Sequence, residues 1–187
     1  MYDFSDIRKN LKVVIDGAPY TVVESQFVKP GKGQAFTRTR LKNMITGAVL
    51  ERTFKQGEKL EKADLEERQM QYLYPEGDQF VFMDTANYNQ INFSRDQLGD
   101  TPDYLQDGMM VDVLFWSERP IGVTPPIFVE LEVTDTEPGF KGDTTSNVQK
   151  AATVSTGKVV QVPLFVNTGD VLKIDTRTGE YVERVKR

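Results

Sequence analysis

Two lysines, a proline and two glycines stand together in Lys29-Pro30-Gly31-Lys32-Gly33, within the stretch KPGKGQAF. Pro30 suits the second position of a turn and Gly31 accepts the positive φ of the third, so Lys29 to Lys32 has type II turn chemistry. Gly33 frees the backbone on the far side. The expectation is a tight hairpin tip that projects Lys32 between two residues without side-chain bulk. A lysine so placed could be a solubilising charge, a contact to an anion or an arm for covalent extension. A phosphate-binding loop is excluded, because the stretch lacks the four-residue spacer and the Ser or Thr after the lysine, and opens no helix. A Schiff-base or general-base lysine also fits poorly, since it needs desolvation to lower its pKa and a glycine-flanked tip is wet.

The remaining chemistry-bearing groups are few. The chain has no cysteine and no histidine, which removes thiolate nucleophiles, Cys-based zinc sites and every triad built on imidazole. Asp64, Glu66 and Glu67 could be read as a metal or acid/base cluster, but strand alternation turns Glu66 away from its neighbours and a solvated face is the better reading. Tyr72, Tyr74, Phe80 and Phe82 could stack bases on an oligonucleotide-binding sheet; in an acidic segment, packing within or between β units is favoured. No enzyme is expected.

Positioning these residues falls to short strands. LKVVI, the hairpin signal Asp16-Gly17 and PYTVV open a meander. In QAFTRTRLK, Ala35, Thr37, Thr39 and Leu41 share one face while Phe36, Arg38, Arg40 and Lys42 share the other, lining that face with three cations. LEERQMQYLY, FVFMD, YNQINF and MMVDVLFW read as strands of a second unit. Between them SRDQLGDTPDYLQDG, with Ser94 as a cap, reads as short helical turns or loop. Pro125-Pro126 marks a second break. FVELEVTDT, KVVQVPLFV, DVLKIDT and EYVERV then read as strands of a third unit, with GFKGDTTSNVQKA as a loop. The domains expected are 1–64, 65–126 and 127–187, an all-β chain of three consecutive small barrels.

Charge is unevenly placed along the 187 residues, whose formal net charge is -5. Residues 1–62 hold 12 Lys/Arg against 7 Asp/Glu, residues 63–127 hold 3 against 12, and residues 128–187 hold 8 against 9. A basic first third beside a strongly acidic middle reads as an orientation device for a polyanionic partner, or as chance variation among solvated charges. No run approaches the ~20 apolar residues of a membrane span, and the N-terminal stretch lacks an apolar core of the signal-peptide kind. A cytoplasmic monomer that binds neither membrane nor DNA is expected.

FVKPGKGQAF, TPPIFVELEVTDTEPGFKGDT and KAATVSTGKVVQVPLFVNTGDVLKIDTRTGEYVERV resemble the bacterial elongation factor P family along essentially the whole chain. The last stretch keeps the family's signature at Lys150, Ala152, Gly157, Val162, Pro163 and Gly169. The resemblance implies an SH3-like (KOW-like) first domain and two oligonucleotide-binding (OB) type barrels in an L-shaped, tRNA-like arrangement. It implies a translation factor that contacts both ribosomal subunits beside peptidyl-site tRNA and relieves stalling at consecutive prolines. Lys32 matches the family's modified tip, supported by Lys29, Pro30, Gly31 and Gly33. A covalent extension of β-lysyl type, added by a modifying enzyme, is expected there, with no dissociable cofactor or metal. Arg38, Arg40 and Lys42 are candidate RNA backbone contacts on charge. Gly142, Asp143 and Thr144 match a loop that approaches the small subunit near the exit site, and Tyr181 and Arg184 match positions facing peptidyl-site tRNA. Rival readings are a paralogue with a different stalled-sequence preference and a general single-stranded RNA-binding OB protein; the latter would centre affinity on the most acidic segment, which disfavours it.

Overall fold

Three antiparallel sheets carry the fold in a computed structural model that describes residues 1–139 and 148–186. By compactness the chain divides into Met1–Glu67 with Leu114–Gly122, and Arg68–Val113 with Val123–Arg187. Among the described residues no helix is long and apolar enough to cross a membrane.

The first sheet contains β1 (Tyr2–Asp3), β2 (Lys12–Ile15), β3 (Ala18–Val28), β4 (Phe36–Asn43), β5 (Val49–Lys55) and β6 (Lys59–Lys62), in the order β1-β6-β2-β3-β4-β5. Asp16 and Gly17 both take positive φ, 51° and 77°, in the two-residue turn joining β2 to β3, as the Asp-Gly signal required. A single helical turn after β1, Phe4–Asp6, sits against β4, where the Thr37 hydroxyl donates to the Phe4 carbonyl at 2.9 Å. Val13, Val22 and Leu41 in the core of this sheet are fully buried.

β7 (Leu65–Glu76), β8 (Gln79–Asp84), β9 (Gln90–Ser94), β10 (Met110–Trp116) and β11 (Arg119–Thr124) form the second sheet, in the order β11-β10-β7-β8-β9. β11 was not expected from the sequence. It begins after Ser117 and Glu118, which take the φ 48° and 70° of a tight hairpin without any glycine to announce it. Between β9 and β10 lies α1 (Arg95–Leu98), closed by a capping box in which the Ser94 hydroxyl accepts from the Gln97 backbone N–H while the Gln97 side-chain oxygen Oε1 accepts from the Ser94 N–H. Tyr72, Phe80 and Phe82 are core: each is at most 5% exposed, and Phe82 meets Phe93 edge to face at 5.7 Å. Tyr74 is the exposed member of the quartet.

The third sheet contains β12 (Phe128–Thr136), β13 (Gln149–Val154), β14 (Val159–Pro163), β15 (Val171–Asp175) and β16 (Glu180–Val185), in the order β14-β13-β12-β15-β16. β14 returns to touch β16, so this sheet closes on itself. Val129, Leu131 and Val133 alternate inward along β12 with Glu130 and Glu132 outward, the pattern of a strand wet on one side. Gln149, Lys150 and Ala151, expected in a loop, belong to β13 and pair with β14. Gly142, Asp143 and Thr144 lie outside the described residues.

Candidate functional site

β3 and β4 form the long hairpin of the first sheet, paired from Tyr20 opposite Asn43 to Val28 opposite Phe36 with a register shift between Val22 and Glu24. Residues 29–35 connect them, and at full extension four residues reach at most about 13 Å beyond the sheet. Lys29, Gly31, Lys32, Gly33 and Gln34 are exposed. Lys32 has no ion-pair partner among the described residues.

The expected type II turn does not form. Gly31 lacks positive φ and no hydrogen bond closes Lys29 to Lys32; the left-handed residue is Gly33, at φ 101°. A connection of this length needs no two-residue turn, so the chain makes an open bend and reverses after the lysine instead of before it. At Gly33 a side chain would be strained by conformation; at Gly31 a Cβ would meet nothing within 4 Å. Slimness and freedom are thus divided between the two glycines flanking Lys32.

The base of the loop is braced by aromatic contacts. Phe4 and Phe27 lie 5.9 Å apart, and the Arg38 guanidinium stands 5.4 Å over the Phe36 ring. β4 alternates as read: Thr37, Thr39 and Leu41 are buried, while Arg38, Arg40 and Lys42 are exposed. The buried hydroxyls are satisfied, Thr39 donating to the Arg52 carbonyl at 2.6 Å. The cationic face is less uniform than its residues suggest. Arg40 lies 3.4 Å from Glu24 on β3 and 3.8 Å from Glu51 on β5, partners that cross-strand register supplies and local spacing does not reveal. Among the described residues Arg38 and Lys42 have no ion-pair partner.

Tyr181 and Arg184 lie on β16, three positions apart, which in a regular strand would put them on opposite faces. A bulge changes this. Tyr181 stands opposite Ile174 and Arg184 opposite Leu172, with the register shift between Lys173 and Ile174 absorbing Val182. Ile174 and Leu172 both point into the core, so Tyr181 and Arg184 come to the same side. Tyr181 packs half-buried against the core. Arg184 is held by Asp170 at 3.6 Å and by the Phe165 ring, whose centroid is 4.9 Å away.

Asp64, Glu66 and Glu67 are all exposed. Among the described residues no cluster of three or more acidic groups could hold a metal ion.

The fold and the displayed lysine define a β-barrel protein of the KOW-like and OB kind. Residues 3–60 match the elongation factor P KOW-like domain, 65–123 the elongation factor P OB domain and 129–184 the elongation factor P C-terminal domain. The chain is 55% identical over 180 residues to "Elongation factor P" of Caldanaerobacter subterraneus subsp. tengcongensis, covering 96% of this chain and 97% of that one. It is 53% identical over 187 residues to "Elongation factor P" of Desulfotalea psychrophila, covering both chains fully. A solved structure, "Eukaryotic translation initiation factor 5A from Methanococcus jannaschii", shares the fold with a TM-score of 0.57 at 22% identity, over 66% of this chain and 90% of that one. The chain belongs to the elongation factor P family, a family of translation factors.

Proposed function

We propose that the chain binds the ribosome beside peptidyl-site tRNA, between the peptidyl and exit sites, and accelerates peptide-bond formation at consecutive prolines. The observation that carries this reading is Lys32: exposed, without an ion-pair partner among the described residues, and flanked by two glycines at the end of a braced hairpin. Family membership supports it. The prolyl amine restricts approach geometry, so a factor that holds the CCA end and the nascent ester in a reactive arrangement contributes positioning. This role asks for no histidine or cysteine, and the chain has neither.

In this reading a modifying enzyme extends Lys32 covalently with a β-lysyl group, which lengthens the arm and keeps it cationic. Arg38 and Lys42 contact RNA phosphates, with Arg40 contributing less because Glu24 and Glu51 already compensate it. Tyr181 and Arg184 face peptidyl-site tRNA, and Gly142, Asp143 and Thr144 approach the small subunit. The protein works in the cytoplasm.

The test is a reconstituted translation reaction reading through Pro-Pro-Pro, with modified wild type and Lys32→Ala compared. Lys32→Ala is expected to melt like wild type and to lose relief of the stall. Full activity of that variant refutes the role. Peptide mass mapping of native-host protein is expected to find added mass on the Lys32 peptide, and an unmodified peptide refutes the extension.

A further inference from the structure

Phe4 touches both strands of the loop-bearing hairpin at one level. Its ring lies 5.9 Å from the Phe27 ring at an interplanar angle of 31°, and its carbonyl accepts the Thr37 hydroxyl at 2.9 Å. Phe27 on β3 and Thr37 on β4 are direct cross-strand partners, so they share a face of the sheet. A single pair, Val28 opposite Phe36, separates that level from the loop.

The two strands are not equally held there. β4 is flanked on both sides, with Thr37 between Phe27 and Phe54. β3 is not. Its pairing with β2 ends at Thr21, and the backbone bonds with Asn10 and Leu11 reach only Val22. From Glu24 to Val28 its one strand partner among the described residues is β4. Phe27 is 54% exposed although it shares a face with buried Thr37, because the buried pair Val22 and Leu41 lies further down the hairpin. Among the described residues Phe4 supplies the one ring that meets it.

Phe4 itself is anchored. Asp3 before it pairs with Lys59 on β6, the Asp3 N–H donates to the Asp6 carboxylate at 2.9 Å, and Ile7 after it is buried in the core. The turn is therefore a fixed point and the end of β3 a free one, joined by a ring pair whose attraction exceeds the area it covers. An arm about 13 Å long that pivots by about 10° at this level moves its tip by about 2 Å. A misplacement of about 1 Å is enough to slow a positioned reaction about a hundredfold.

We propose that Phe4 is a positioning residue for Lys32: it clips the end of β3 through Phe27 and so fixes the direction in which the loop leaves the barrel. The inference rests on the positioning role of Lys32 proposed above. The reconstituted Pro-Pro-Pro reaction is run with increasing amounts of full-length factor, each variant carrying the same mass on its Lys32 peptide as wild type. Phe4→Ala and Phe27→Ala are each expected to lower the maximal rate of stall relief about tenfold and to leave the half-saturating concentration unchanged, since binding is kept and alignment of the arm is lost. Phe4→Tyr keeps the ring and restores the rate. The double variant is expected to be no worse than either single one, because both remove the same contact. Hydrogen exchange of the amides at 26–28 and 36–38 is expected to quicken about tenfold in either single variant. Thermal melting checks folding, and Phe4→Leu, which keeps apolar contact with the core and loses the ring, takes the place of Phe4→Ala if that variant does not fold. Unchanged maximal rates in both single variants, losses that multiply in the double variant, or unchanged exchange at the strand ends each overturn the proposal. Lys32→Ala with full stall relief overturns the reading of Lys32 and this one with it. An inactive Lys32→Ala beside fully active Phe4 and Phe27 variants overturns this one alone.

Discussion

The Thr156 hydroxyl donates to the Asp103 carbonyl at 2.6 Å, joining residues 53 positions apart. The same junction carries Lys158 at 4.0 Å from the Asp103 carboxylate and the Gln106 side-chain amide donating to the Glu130 carbonyl at 2.8 Å. Tyr104, which follows α1 in a short helical turn, is 4% exposed and packs in the core of the third sheet. The connection between β9 and β10 is therefore structural glue for β12–β16.

Thr156→Val keeps the shape of the side chain and removes the hydroxyl, leaving the Asp103 carbonyl without that donor. A cost of about 1–2 kcal/mol is expected for a half-buried bond of this kind. Urea denaturation followed by far-UV circular dichroism measures it, and an unchanged midpoint shows that water replaces the hydroxyl.

Gly179 takes φ 77° in the turn between β15 and β16, and a Cβ there would stand 3.0 Å from the Tyr104 hydroxyl and 3.2 Å from Lys158 Nζ. Conformation alone makes a side chain costly at such φ, by roughly 1 kcal/mol. Gly179→Ala is expected to lose that and slightly more from displacing Tyr104, seen as a lower melting temperature. Gly31→Ala, with open space and no positive φ, is the control that melts like wild type.

Burial, and secondarily the Asp107 carboxylate, push the Tyr72 phenol from 10.0 up to about 12. The folded state thus holds this proton where the unfolded chain releases it. The neutral phenol's contribution to stability is complete below pH 10 and is lost as pH rises towards 12. Burial also pushes the Tyr104 phenol up, so alkaline titration monitored by tyrosinate absorbance is expected to show late-ionising tyrosines of which Tyr72→Phe removes one. If that variant leaves the titration unchanged, the assignment fails.

Arg177 donates to both carboxylate oxygens of Asp175, Nη2 to Oδ2 at 2.8 Å and Nε to Oδ1 at 3.1 Å, and these bonds hold the carboxyl below its ordinary range. Arg177→Ala is expected to raise the Asp175 pKa towards the ordinary value, read by carboxyl NMR titration. Stability from the pair is present above the unfolded carboxyl pKa and falls away as pH drops through the lowered folded one, so the variant and wild type converge in acid.

Much of the architecture was legible because it is written in local chemistry. Asp16-Gly17 named its hairpin, Thr37 and Thr39 alternated with Arg38 and Arg40, and Pro125-Pro126 fell between β11 and β12. Where local signals were weak the reading missed. Ser117 and Glu118 turn the chain without glycine, hiding β11, and the Lys29–Lys32 stretch carried a type II signature that its long connection did not use.

By itself the sequence determined which residues face water: an alternating strand exposes every second side chain, and a lysine between glycines cannot be enclosed by its neighbours. It also determined that histidine and cysteine chemistry is absent. Tertiary structure decided how those exposed charges are paired. Only cross-strand register sets Glu24 and Glu51 against Arg40, only the bulge at Val182 brings Tyr181 and Arg184 to one side, and only folding lays Phe4 against Phe27 at the mouth of the lysine loop. Charge acts through space over distances that strand pairing sets, and strand pairing joins residues far apart in the chain.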